Sequence, residues 1–117
     1  MANIELAALE SVKKETLKLK EKYQVKAGKE REKVNDVCVS IQGEKCYTED
    51  DIFGWYEAGY ISSSQYDKYR DKLRKKKETA GETDNMTKSE MICKILDNYI
   101  KSLSVNIREI KIEEQED

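Results

Sequence analysis

Nearly all the aromatic surface of this chain is confined to one stretch, CYTEDDIFGWYEAGYISSSQYDKY, residues 46–69, and that confinement limits where a core can form. The stretch holds the single Trp, the single Phe and five of the seven Tyr of a 117-residue chain that is 39% charged and only 38% hydrophobic. A chain of this size buries roughly 60–70% of its unfolded surface at best. With so little apolar material, a few large rings are the efficient way to make a core, since each buries ~150–250 Å².

The local pattern says how the stretch folds. Thr48 precedes Glu49, Asp50 and Asp51, a hydroxyl cap followed by first-turn carboxylates that suit the positive end of a helix. Ile52, Trp55 and Tyr56 then share one face, and Gly59 supplies the left-handed position that ends a helix without a Cβ clash. Ser62 and Gln65 form a second capping box, opening a helix with Tyr66, Tyr69 and Leu73 on one side. Two helices around a short Gly-containing turn make an αα-hairpin. Its expected core is Ile52, Trp55, Tyr56, Gly59, Ile61, Tyr66, Tyr69 and Leu73, with Trp55 or Tyr60 as a surface anchor for a partner.

YTEDDIFGWYEAGYISSSQY resembles the XkdX family, short phage proteins encoded beside tail genes. The matching positions are Tyr47, Thr48, Asp50, Asp51, Ile52, Trp55, Ala58, Gly59, Tyr60, Ile61, Ser62 and Tyr66. Residues 47–73 are also similar to the SHOCT module, a short helical hairpin appended to bacterial and phage proteins, through Ile52, Trp55, Gly59, Ile61, Ser62, Gln65, Tyr66, Arg70 and Leu73. Gly54 inside the first helix and Ser62 in place of the usual Thr depart from the pattern. The resemblance covers about a quarter of the chain. It implies a phage or mobile-element origin and a role in protein contacts, without catalysis.

The flanks read as helices. Leu9, Val12, Thr16, Leu19 and Tyr23 recur in steps of three and four, with Leu6 and Leu17 widening the stripe, so residues 3–27 are expected to be amphipathic and to fade at Gly28. Leu9, Val12, Leu19 and Tyr23 are candidate contacts for a partner or a second copy. Val37, Val39 and Ile41 alternate as in a short strand, whose mate is sought in Val105, Ile107, Ile110 and Ile112. The competing reading of that C-terminal segment is a helix running through. ETAGETDN, residues 78–85, reads as a linker. Thr87 and Glu90 have capping-box spacing before Ile92, Ile95, Leu96, Tyr99, Ile100 and Leu103, the cleanest helical stripe in the chain. The acidic tail EEQED is expected to fray.

Chemistry is excluded more readily than assigned. The chain has no histidine, which removes Ser-His-Asp and Cys-His nucleophile arrangements and histidine metal sites. No Gly-rich phosphate loop is present. Asp50 and Asp51 are adjacent and diverge on a helix, a poor acid–base pair. Three cysteines without metal-finger spacing point to a reducing compartment. Neither a secretory leader nor a membrane span is legible. The expectation is a non-enzyme, without metal or cofactor, in the cytoplasm of a bacterial host. Net charge is only −2, so attraction to nucleic acid must be local. The candidates for phosphate contact are Lys68, Arg70, Lys72, Arg74, Lys75, Lys76 and Lys77, interleaved with Tyr66 and Tyr69; a solvated basic helix end is the plainer reading. TKSEMICKILDNYIK also resembles the second helix of ribbon-helix-helix repressors through Lys88, Ser89, Glu90, Ile92, Leu96 and Tyr99. There a strand and a helix come immediately before, whereas here the candidate strand lies far upstream, which argues against a DNA-reading ribbon.

The expected fold is all-α or mainly α, with a short two-stranded β-ribbon as a candidate addition. The segments are 1–45, an N-terminal amphipathic helix and extended piece; 46–78, the aromatic hairpin; 79–86, the linker; and 87–117, the C-terminal helix and tail. The expected function is a small phage-type protein acting through protein–protein contacts, as an assembly or adaptor factor and a candidate homo-oligomer through the N-terminal helix. The alternatives are a phage-encoded inhibitor of a host defence or regulatory protein, anti-CRISPR-like, and a nucleic-acid-binding accessory protein using residues 68–77.

Overall fold

The structure, a computed structural model, describes residues 3–116, and it is mainly helical with two short antiparallel ribbons. The order is α1 (Ile4–Asn35), β1 (Val39–Ile41), β2 (Glu44–Cys46), α2 (Glu49–Glu57), α3 (Ser63–Thr79), β3 (Glu82–Thr83), β4 (Met86–Thr87) and α4 (Lys88–Glu116). The chain divides into two compact units, one made of α1 up to Ala27 with α4 from Ser89, the other of Gly28–Lys88.

In the second unit the predicted hairpin forms with its predicted caps. Thr48 and Asp51 make a reciprocal capping box, as do Ser62 and Gln65. Gly59, at φ 82°, lets the Tyr60 amide donate back to the Trp55 carbonyl at 3.0 Å and closes α2. The core is larger than the helices alone, however. Val39, Ile41 and Cys46 from β1 and β2 are buried together with Ile52, Ile61 and Leu73, while Val37, Trp55, Tyr66 and Tyr69 pack against them half-buried. Two expected core members are corrected. Tyr56 is exposed, because Ile52 and Trp55 already fill the face of α2 that meets the core, and Gly59 is an exposed turn residue.

Three further expectations change. The mate of β1 is β2, paired Val39↔Cys46 through Ile41↔Glu44, and not the segment 105–112. Gln42 and Gly43, at φ 51° and 83°, form the two-residue turn whose twist matches a hairpin. Residues 105–112 continue α4; what looked like a slip of strand phase is helical spacing, with Leu103, Ile107 and Ile110 inward and Val105 and Ile112 exposed. The segment 79–86 is no linker, since β3 and β4 pair there across Asp84 and Asn85, both at positive φ. Side chains of this type accept that conformation readily. Arg31 of α1 secures the turn, reaching Glu82 at 2.5 Å and the Asn85 carbonyl at 3.2 Å.

Gly28 does not end α1, which runs on to Asn35. A helix-interior Gly costs only about 1 kcal/mol, and the extra turns bring Val34 to full burial. In the first unit, Asn3 accepts from the Leu6 amide at 3.0 Å and so starts the helix. Lys20–Asp97, Glu10–Lys111 and Asn3–Glu114 contacts run in reverse order along the chain, so α1 and α4 lie antiparallel in this unit. Their seam holds Leu9, Lys13, Thr16, Lys20, Tyr23 and Ala27 from α1, and Cys93, Leu96, Ile100, Leu103, Ile107 and Ile110 from α4. The acidic tail is helical to Glu116; Met1, Ala2 and Asp117 lie outside the described residues.

Replacing Ile52, which is fully buried, by Ala should cost about 2–5 kcal/mol in a denaturant titration. A second expectation concerns pH. The Tyr47 amide, and then that of Thr48, donate to Asp51 at 3.0 and 3.1 Å and hold its carboxyl below the usual range. A folded-state pKa below the unfolded one, about 3.9, adds stability above that range which is lost as pH falls through the folded value. Asp51→Asn should therefore flatten the fall of stability between neutral and strongly acid pH, relative to the unmodified chain.

Candidate functional site

The aromatic residues that the core does not take form a surface of their own. Phe53 and Tyr56 each follow a core residue of α2 by one position, so they project from a different side of the helix. They meet Tyr66 of α3: the Tyr56 and Tyr66 rings stack at 5.4 Å, Phe53 lies edge-on to Tyr66 at 6.0 Å, and Phe53 and Tyr56 are 6.1 Å apart. The Arg70 guanidinium sits over the Tyr66 ring at 5.3 Å. Phe53 is 43% exposed and Tyr56 38%, so the rings form a patch on the surface. Glu49 and Glu57 stand four residues to either side of Phe53 on the same face of α2 and give the patch an acidic rim.

Beside it, Trp55 and Tyr60 pack edge to face at 5.5 Å and, with Asp51, Gly54 and Ala58, wall a shallow groove of about 260 Å³. No atom would oppose a Cβ at Gly54, so the glycine is not demanded by packing within this chain. Trp55 also bonds to the Cys46 thiol. Burial, and then the charge of Asp51, still push that thiol above its ordinary value, which favours its protonated form.

The basic residues of α3 separate into two groups. Lys68, Lys72, Lys75 and Lys76 line an open cleft of about 750 Å³, floored by Val37, Cys38, Thr79 and Ala80 and carrying one acid, Asp71. Lys76 donates to the Cys38 carbonyl at 3.1 Å. The Lys75 ammonium, 3.0 Å from Asp71, together with Arg74 holds that carboxyl below its ordinary range. Arg70, Arg74 and Lys77 do not line the cleft: Arg70 is turned to Tyr66 and Asp67, and Arg74 to Asp71.

The N-terminal candidates also divide. Leu9 and Tyr23 lie half-buried in the α1–α4 seam, Val12 and Leu19 are exposed, and Tyr60 is the most open ring of the second unit at 66%. Sequence reasoning passed over Phe53. The available signal was that four large apolar residues in a nine-residue helix exceed what one face can hold.

Among the described residues, no three of Cys, Asp and Glu are grouped to hold a metal ion, and no buried side-chain polar atom lacks a hydrogen-bond partner. No described helix is long and apolar enough to cross a membrane. The described surface presents two features: an aromatic patch with an acidic rim, and a lysine-lined cleft. No protein family, curated protein or solved structure matches this chain.

Proposed function

We propose that this is a non-enzymatic protein that acts by binding another protein through the aromatic patch of its helical hairpin. The observation that supports this is the mutual packing of Phe53, Tyr56, Tyr66 and Arg70 at the surface of the second unit. Tyr and Arg with a bulky ring are the residue types that dominate binding energy in interfaces, since they bury large rigid area at low entropic cost. Glu49 and Glu57 set the partner's chemistry: an apolar pocket with cations at its edge. The resemblance of residues 47–73 to XkdX-like and SHOCT-like hairpins supports a phage or mobile-element setting in a bacterial cytoplasm, with an assembly or adaptor role. An inhibitor of a host protein would use the same patch.

The test is paired affinity capture from a bacterial host extract with the unmodified chain and with Phe53→Ala/Tyr56→Ala, followed by titration of the captured protein. Neither ring belongs to the buried core, so the variant should keep its circular dichroism and melting profile. Affinity should fall at least tenfold, as expected from losing one or two residues worth about 1–2 kcal/mol each. Equal capture by both forms would sink the patch as the binding site.

A second reading rests on the cleft of about 750 Å³, where Lys68, Lys72 and Lys76 offer cations on one helix face to an anionic backbone. No ring lines it, so contact would be with phosphates rather than bases. Fluorescence anisotropy with a labelled single-stranded oligonucleotide at low salt tests it. Salt-sensitive binding that weakens in Lys72→Gln/Lys76→Gln supports this reading, and no binding at low salt removes it.

A further inference from the structure

The first unit is asymmetric across its seam. Its cross-helix ion pairs lie on one flank, where Lys20 meets Asp97 at 2.8 Å and Glu10 meets Lys111 at 3.3 Å. Residues two apart on a helix point about 200° apart. Val12 therefore lies across α1 from Glu10, and Ile95 and Tyr99 lie across α4 from Asp97. Val12 is 38% exposed, Ile95 59% and Tyr99 48%, with Leu19, two turns from Val12, at 43%.

This opposite flank carries its own regular spacing. On α1 the exposed residues Glu5, Ala8, Val12, Glu15, Leu19, Lys22 and Lys26 follow one another in steps of three and four. Ala8, Val12 and Leu19 make a short apolar strip beside the one α4 covers, bounded and interrupted by the four charges. On α4 the corresponding stripe is Ile92, Ile95, Tyr99, Ser102 and Asn106, with no charge along it. The contact with α4 leaves this strip of α1 uncovered.

We infer that a second copy of the chain covers this strip, docking α1 antiparallel on α1 about a two-fold axis between Glu15 and Thr16. The stripe itself argues for a copy. It is acidic at one end and basic at the other, and the axis sets Val12 against Leu19 of the partner copy, Ala8 beside Tyr23, and Glu5 against Lys26, each pairing occurring twice. Lys26 already lies over the Tyr23 ring at 5.0 Å, on the same side as the partner's Glu5. A surface that complements itself in both shape class and charge sign is what an isologous dimer requires. One layer opposes the association: at the axis Glu15 sits beside Thr16 of the partner copy, with the partner's Glu15 next to it. This inference uses the first unit only and does not depend on the aromatic patch.

Light scattering across a concentration series on the full chain tests it. The unmodified chain should reach the dimer mass, and Val12→Glu/Leu19→Glu should remain monomeric with unchanged helix content by circular dichroism. Lys26→Glu should weaken the dimer about tenfold by replacing two rim ion pairs with repulsions, and Glu5→Lys/Lys26→Glu should restore it. Glu15→Gln should tighten it. A chain that stays monomeric from micromolar to millimolar concentration overturns the inference. So does a dimer in which the charge swap fails to restore Lys26→Glu, since that would place the contact elsewhere. Phe53→Ala/Tyr56→Ala should dimerise like the unmodified chain, which separates this outcome from the fate of the aromatic patch.

Discussion

The second unit depends on the packing of the β1–β2 ribbon against Ile52. Alternation along β1 turns Val39 and Ile41 inward and Ser40 out, and Cys46 of β2 completes the inner face. That face closes the core over Ile52 of α2, Ile61 of the turn and Leu73 of α3. Once Ile52 and Trp55 are committed inward, helical geometry leaves Phe53 and Tyr56 no inward direction. The surface patch is thus a consequence of the core. A helix that was merely amphipathic would have carried polar residues at those two positions.

Local signals were the most legible part of the fold. Both capping boxes and the Gly59 termination follow from short-range hydrogen bonding that needs no tertiary context. The ribbons were harder. In β2 only Cys46 is apolar, so Glu44–Cys46 has no alternation to read, whereas the spacing of Val105, Ile107, Ile110 and Ile112 fits either a strand with a slip or the helix that forms. β3 and β4 are two residues each, shorter than any periodicity, and Asp84–Asn85 lacks the glycine that usually marks so tight a turn. Gly28 misled because a propensity penalty of about 1 kcal/mol is easily outweighed by burial of a residue such as Val34. For the site, spacing identified the aromatic segment but assigned Tyr56 to the core. Which of two apolar faces turns inward is decided by a distant ribbon and not by the helix.

The first unit shows why a seam visible in sequence need not be the seam that forms. The spacing of Leu9, Val12, Thr16, Leu19 and Tyr23 suggests a stripe centred between two faces of α1. In the structure α4 covers the side holding Leu9, Thr16 and Tyr23 and takes Lys13 and Lys20 with them. In this rotation Lys20 meets Asp97 and Glu10 meets Lys111, contacts that accompany the apolar seam and add little by themselves. Asp97, bonded first by Lys20 and also by Lys101, has its carboxyl held below the ordinary range, so the pairing persists into mildly acid solution. The hydroxyls in the seam contribute little to register: Thr16 donates to the Val12 carbonyl at 2.7 Å and Ser104 to that of Ile100 at 2.8 Å, each within its own helix. With α4 on that side, Val12 and Leu19 face outward.

The two exposed apolar surfaces differ in a way that bears on what each recognises. The rings of the patch hold one another in place, Tyr56 stacked on Tyr66 and Arg70 laid over it, so much of their conformational freedom is already spent before any partner arrives. Such a surface suits a partner of different composition, which need only present a complementary pocket. The flank of α1 in the first unit combines Ala8, Val12 and Leu19 with an acid near its start and lysines near its end, and Glu15 between them. Regular spacing is matched best by another helix of the same spacing, and end-to-end charge reversal is matched by that helix run backwards. The most economical source of both is the chain itself. In the proposed dimer the aromatic patch would be presented twice, and bivalent display raises apparent affinity without any new contact wherever a partner offers two sites within reach.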